Sequence, residues 1–363
     1  MDFRPTDEQR LLTASAHRWV SGEASLEQRR ERAAGRGADP FARFGELGWL
    51  AMSVPESHGG LGSSLGDLVI LCEELGRGLV VDSFIAGSVL PARVLRDSPS
   101  GPVRDAWLSA CKDGAAVAVA LFEPGRRYEV QPAATAQPVE GGFRLTGTKI
   151  AVERGATAEH FIVGAASPEG PVLVGVDARS PGVARTAYRR IDDVEVADLS
   201  FDEVPVHANA LIAGPLAALP ALESALDDAR LCLCADVLGS MERALVDTAL
   251  HLQTRRQFGK ALSEFQVLQH DMAELFIETN DARSILYHAL GASGQTRERY
   301  RKAVSACSLK VLPSAKAVAG QAVHLHGGMG VTCELAVGHC LRRATVAERL
   351  LGDFEFHLAR YLG

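Results

Sequence analysis

The chain has 363 residues, long enough for more than one hydrophobic core, because single cores stop growing at about 250–300 residues. Its hydrophobic share of 47% is ordinary for a soluble protein, and a net charge of −7 leaves no general basic field, which argues against nucleic acid or an anionic membrane as a partner. No run approaches the ~20 apolar residues of a membrane helix, and Met1-Asp2-Phe3-Arg4-Pro5-Thr6-Asp7-Glu8 lacks the apolar stretch of a leader, so a cytoplasmic location is expected.

Thr6-Asp7-Glu8-Gln9 is a capping box, and Leu11, Leu12, Ala16, Trp19 and Val20 follow near helical spacing, so the chain should open with a helix. Apolar stripes between Gly, Pro or Ser breaks predict further helices over Phe41–Leu50, Leu65–Leu79, Ser83–Leu95 and Val103–Cys111. After Asp113-Gly114 the texture changes to short β-branched or alternating segments: 115–121, 143–147, 160–164, 172–176 and 194–201, the last leading into Val204-Pro205-Val206. From Leu216 the helical period returns. Phe265, Leu268, Met272, Leu275, Phe276, Ala282, Ile285, Leu286 and Ala289 form a stripe wide enough for a bundle core, and helices are expected near 220–254, 263–291, 297–325 and 334–360. The predicted architecture is α+β: an N-terminal α-helical domain (1–112), a central antiparallel β domain (113–210) and a C-terminal four-helix bundle (216–363).

Seven cysteines, an odd number without a repeated metal spacing, fit reduced thiols better than a disulfide framework. Cys232 and Cys234, two apart on a helix, point to different sides, and Cys333 and Cys340 read as small core residues, so no metal site is expected.

The chemistry concentrates at Thr254-Arg255-Arg256-Gln257-Phe258-Gly259-Lys260. Two arginines end a long helix, a Phe-Gly-Lys turn breaks it, and Ser263 with Gln266 should cap the next. Planar guanidinium donors beside the unpaired N–H groups of a helix N-terminus suit a pyrophosphate. A solvated basic helix end is the other reading of the same residues.

Arg255-x-x-Phe258-Gly259 with Phe265-Gln266, the later His324-Leu325-His326-Gly327-Gly328-Met329-Gly330, and the early Val54-Pro55-Glu56-x-x-Gly59-Gly60-Leu61-Gly62 together resemble the acyl-CoA dehydrogenase family, in its order and over nearly the whole chain. The resemblance implies the helix, strand, helix domain order and FAD as cofactor. It implies an acyl-CoA substrate, with an electron-accepting flavoprotein as a further partner such an enzyme could use. In that family the Arg-x-x-Phe-Gly corner and the Gly-Gly segment reach across a subunit interface to the neighbour's FAD. Those positions here are Arg255, Phe258, Gln266, His324, Gly327 and Gly328, with His324 standing where glutamine is common.

An enzyme of the family holds the acyl-CoA between a carboxylate, which removes the α-proton, and flavin N5, which takes the β-hydride. The usual base lies in a Glu-Gly-Thr segment. Counted from Gly327-Gly328, with Glu334 and Arg342 holding the register, that segment falls on Leu351-Gly352-Asp353. The base position is therefore Leu351, and the alternative one, before Arg230, is Ala229. Asp353 is the fallback acid, with Glu348 and Glu334 nearby, although an acid in the middle of a helix is more often a solvated face than a base.

The strand region is worn in the same way. Phe122-Glu123-Pro124 and Gly147-Thr148-Lys149 keep the family's register. The ring-stacking tryptophan becomes Ala151, the flavin-bonding hydroxyl becomes Glu153, whose charge should repel a reduced flavin, and Gly-Ser-Asp becomes Arg127-Tyr128-Glu129. The contacts given in trans remain while those made in cis are gone. The pattern is similar to the non-catalytic subunit of heteromeric members that desaturate bulky acyl-CoA thioesters, and it implies a homologous catalytic subunit as partner. Two rivals stand beside this reading: a homo-oligomeric dehydrogenase with a displaced carboxylate, and a non-enzymatic binding or scaffold protein on the same fold.

Overall fold

The computed structural model describes residues 4–37, 39–80, 84–126 and 128–363. Met1, Asp2 and Phe3 of the opening segment, Ser83 of the helix expected from that residue, and Arg127 of the altered Gly-Ser-Asp segment lie outside the described residues. Contacts divide the chain into two compact units, one from the described residues of Met1–Ala38, Leu65–Val81 and Arg230–Gly363, the other from those of Asp39–Ser64 and Asp82–Ala229.

In the first unit, α1 (Asp7–Glu23) starts with the expected capping box, Thr6 and Gln9 each bonding the other's backbone N–H. A second box, Ser25 with Gln28, opens α2 (Leu26–Ala33), whose polar surface gave no apolar period to read. α4 (Leu65–Arg77; α3 belongs to the second unit) crosses α7 (Ala218–Thr254) backbone to backbone. A Cβ on Gly76 would stand 1.8 Å from the Asp236 carbonyl oxygen, and one on Gly239 1.9 Å from that of Glu73. Around this crossing Arg77 and Arg283 both pair with Glu242, and Arg283 also reaches Glu73 at 2.9 Å. Burial pushes the Glu242 carboxyl up, but the two arginines outweigh it and hold it below its ordinary value.

The remaining helices are α8 (Gln266–Gly291), α9 (Arg297–His326), α10 (Ala336–Ala347) and α11 (Phe354–Leu362). The stripe of α8 is core only in part. Leu275, Ala282, Leu286 and Ala289 are buried, whereas Val267, Phe276 and Ile277 are each more than half exposed. The helix expected over 334–360 is two helices, because Gly352 at φ +142° turns the chain between them, and a Cβ there would collide with Phe356 and His357. Among the thiols, Cys340 is buried as expected, but Cys333, in the turn before α10, is exposed. Cys232 faces Cys72, and Cys234 faces Cys307 and Ser308, so the two do point to different sides.

The second unit holds α3 (Pro40–Glu46), α5 (Leu90–Asp97, preceded by a π turn at Ile85–Val89), α6 (Pro102–Cys111) and an eight-stranded sheet. The predicted helix Phe41–Leu50 ends early: past Glu46 the chain reaches a 3₁₀ turn at Leu50–Ser53. The strands are β1 (Val117–Ala120), β2 (Thr135–Val139), β3 (Gly142–Glu153), β4 (His160–Ser167), β5 (Gly170–Asp177), β6 (Val183–Arg189), β7 (Glu195–His207) and β8 (Leu211–Ala213). Their order is β6-β7-β3-β2-β4-β5-β8, with β1 also on β4. Most pairs are antiparallel, as expected, but β1 and β2 each run parallel to β4, so the sheet is mixed. Its core gathers Leu145, Phe161, Val163, Val174, Leu199 and Phe201. Lys149 is fully buried and donates at 2.6 Å to Glu123, whose carboxylate also accepts from the N–H groups of Ala133 and Ala134. A charge inside a sheet core is tolerable only with its partners satisfied, and here they are.

Candidate functional site

α7 stops at Thr254, whose hydroxyl turns back onto the carbonyls of Leu250 and His251 at 2.9 and 3.2 Å. Arg256-Gln257 (β9) and Lys260-Ala261 (β10) then pair antiparallel across a two-residue loop. Its residues, Phe258 (φ 51°) and Gly259 (φ 82°), are both left-handed, the hallmark of a type I′ hairpin. The expected turn is therefore a small hairpin. A phenylalanine held at positive φ is strained, and its side chain is 91% exposed, the ring meeting that of Phe265 edge to face at 6.2 Å between centroids. Lys260 is occupied, its ammonium 4.1 Å from the Phe265 ring centroid and donating to the Glu264 carbonyl. Arg255 is exposed, with no side-chain hydrogen bond or ion pair among the described residues.

The expected Ser263–Gln266 capping box does not form. Glu264 takes the Ala261 N–H at 2.9 Å, residues Leu262–Glu264 make a 3₁₀ turn, and α8 starts only at Gln266, with Phe265 as its uncapped N-cap. Gln266 is exposed and the Leu262 N–H donates to the Arg255 carbonyl at 2.9 Å, so Arg255, Phe258 and Gln266 belong to one small corner.

The Gly-Gly segment closes the other side. α9 ends at His326, with His324 exposed, and Gly327 to Val331 form a 3₁₀ turn. Gly327 and Gly328 are exposed and a Cβ on either would meet no atom within 4 Å; Gly327 is glycine because it ends α9 at φ +63°, whereas neither packing nor a positive φ explains Gly328. Open room of this kind suits close approach by a ligand's phosphates. The two ends are joined by a contact that no motif announced: the rings of His251 and His326 stack with centroids 4.3 Å apart. His251 is one turn before Arg255 and His326 is next to Gly327, so the stack brings the two predicted half-sites together.

Elsewhere the structure assigns other tasks to the candidate acids. Leu351 is buried at the break between α10 and α11, and its carbonyl accepts from Arg230 Nε at 2.8 Å. Asp353 is not mid-helix as expected; it is the N-cap of α11, accepting from the Phe356 N–H at 3.0 Å. Glu348 pairs with Lys316 at 2.7 Å, Glu334 is exposed, and Ala229 is fully buried in α7.

On β3 the pairing with β7 slips between Lys149 and Val152, and Ala151 sits at φ 52° with its N–H on the Asp198 carboxylate at 2.9 Å. A strained bulge thus presents a methyl group where the family presents an indole. Glu153 is ion-paired rather than free. Arg190 Nη1 stands 2.6 Å from its Oε1, but the same guanidinium also forks to Asp192, so one cation faces two carboxylates, and the loss of a hydroxyl donor remains. Tyr128 packs edge-on to Phe122, and Glu129 pairs with Arg126.

Among the described residues no helix is long and apolar enough to cross a membrane, and no group of three His, Cys, Asp or Glu side chains is placed to hold a metal ion. The family model described as acyl-CoA dehydrogenase, C-terminal domain matches residues 219–361, and that of the N-terminal domain matches residues 6–114. Acyl-CoA dehydrogenase FadE27 of Mycobacterium tuberculosis is 30% identical, over 92% of this chain and 88% of its own. Human mitochondrial short-chain specific acyl-CoA dehydrogenase is 26% identical, over 86% and 79%. Among solved structures, the Tcur3481-Tcur3483 steroid ACAD superposes with a TM-score of 0.87 at 30% identity, covering 98% of this chain and 96% of its own. The ChsE4-ChsE5 complex from Mycobacterium tuberculosis does so with 0.89 at 27%, covering 99% and 97%.

Proposed function

This chain belongs to the acyl-CoA dehydrogenase family, and we propose that within it the chain is the subunit that lends the cross-interface part of an FAD site to a homologous catalytic partner. The observation that carries the reading is an asymmetry. Arg255, Phe258, Gln266, His324, Gly327 and Gly328 are all exposed, Arg255 has no side-chain hydrogen bond or ion pair among the described residues, and Phe258 is held at positive φ with its ring in the open. Leu351, Ala151 and Glu153 are the residues at the positions where the resemblance implies a base, a stacking ring and a hydroxyl. FAD, when bound, supplies the two-electron oxidation of an acyl-CoA thioester. Arg255 would hold the pyrophosphate by charge-assisted hydrogen bonds, with the Gly327-Gly328 backbone close beside it. The α-proton still needs a base, which leucine cannot be, so the partner must bring it.

The exposed apolar side chains of this unit, Val246, Leu250, Phe258, Val267, Phe276 and Ile277, support association with another chain. The pairing of two named chains in the steroid ACAD and ChsE4-ChsE5 neighbours supports a heteromer and a bulky acyl-CoA. Against a homo-oligomer with a displaced base stand the tasks of Asp353, which caps a helix, and Glu348, which pairs with Lys316. Purifying the tagged chain from its own cells tests the proposal. The expected result is a yellow complex with a homologous chain that has glutamate at the position of Leu351. Recovery of this chain alone, carrying FAD and oxidising acyl-CoA, would end it.

A further inference from the structure

His326 belongs to the Gly-Gly motif quoted above, but His251, on which its ring stacks, belongs to none of the quoted motifs. The rings lie 27° from parallel at 4.3 Å, and His326 is 8% exposed. His326 Nδ1 is 2.8 Å from the Ala322 carbonyl, so Nδ1 carries a proton and a second proton would have to go to Nε2. The Arg255 N–H donates to the His251 carbonyl at 2.9 Å, and Gly327 follows His326 directly, so each ring is rooted beside one half of the clamp.

We propose that the His251–His326 stack is the positioning element that holds Arg255 against the Gly327-Gly328 turn, and that protonation of the pair releases FAD. The inference rests on the reading of this corner as an FAD arm. A neutral pair stacks through its faces, and a singly charged one still can. A doubly charged pair sets two cations ring against ring, with Arg255, the first residue past α7, as a third. Burial first, then His326 and Arg255, already hold His251 below the ordinary histidine value. Among the described residues those two are the charged or titratable groups that bear on it, Arg255 just past the end of α7 and His326 at the end of α9; His324 lies on the exposed side of α9. The folded value is depressed, so the closed arrangement is favoured above the unperturbed pKa of about 6.5 and is lost as pH falls below it.

The test uses the FAD-loaded assembly, whichever chains compose it, and measures FAD affinity by release of flavin fluorescence at about pH 7.5 and about pH 5.5. Wild type should lose about tenfold across that interval, since one proton is taken up only over the pH unit below the unperturbed value of about 6.5. His326→Phe, which keeps a stacking ring without a charge, should lose less than about threefold, and His326→Ala should bind about tenfold more weakly at both values. A His326→Phe profile as steep as that of wild type, or a His326→Ala variant that binds like wild type at about pH 7.5, overturns the inference. Arg255→Ala reports separately on the arm, since undiminished affinity there would remove the reading on which the inference rests. A flavin-free readout is the NMR titration of His251 in the chain alone: its midpoint should rise in His326→Phe, and an unchanged midpoint speaks against the latch.

Discussion

Replacing Arg255 by alanine separates the phosphate arm from a solvated helix end. The side chain is exposed and has no hydrogen bond or ion pair among the described residues, so unfolding free energy should change by less than about 0.5 kcal/mol. A charge-assisted fork to pyrophosphate is worth about 1.5–3 kcal/mol, so FAD should bind ~10–100-fold more weakly to the assembled complex. Arg256 is the internal control. It is equally exposed but lies in the hairpin strand, so its side chain projects differently, and Arg256→Ala should leave affinity within about threefold if only the diffuse field changes. Flavin release titration reads the affinity, and calorimetry reads the stability. Equal weakening by both substitutions would reduce the corner to a general basic patch, and a large loss of stability on Arg255→Ala would make the residue structural.

Leu351→Glu should create no acyl-CoA oxidation in the isolated chain, because a general base contributes ~10²–10⁴ in rate while the ring at Ala151 and the hydroxyl at Glu153 are still missing; measurable turnover would contradict this. Asp353→Ala should destabilise the fold by about 0.5–2 kcal/mol through loss of the α11 cap, whereas Asp353→Asn should stay close to wild type in denaturant unfolding, because asparagine also caps. His357 is pushed down to about 3 by burial, with Arg230 and Arg360 adding to it. Its folded pKa is depressed, so its contribution is complete above about pH 6.5 and falls as pH drops towards 3, at up to about 1.4 kcal/mol per pH unit. His357→Phe, if it folds, should flatten that part of the acid unfolding curve, and an unchanged curve would place the sensitivity elsewhere.

The long helices were legible because α7, α8 and α9 carry apolar residues at helical spacing over many turns, and β4 and β5 because their β-branched runs are too short for a helix. β6 was not, since Val-Ala-Arg-Thr-Ala-Tyr-Arg is an edge strand exposed along nearly its whole length and has no buried face to alternate with. The break between α10 and α11 was hidden because Leu350-Leu351 continues the apolar run, and only the backbone angle of Gly352 shows that the run turns. Ser263 and Gln266 had the right spacing for a capping box, but Glu264 was better placed to take a free N–H. Most of the candidate arm was readable from motif residues close in sequence. Its assembly was not, because the stack of His251 on His326 joins residues distant in the chain that no local pattern links.

The most direct test of the central claim is the visible spectrum of the purified chain, recorded alone and then with its homologous partner, before and after adding an acyl-CoA. The chain alone should be colourless and inactive. The complex should show flavin absorbance that bleaches on addition of substrate. A yellow, partner-free protein that holds FAD stoichiometrically and is bleached by acyl-CoA would contradict the account.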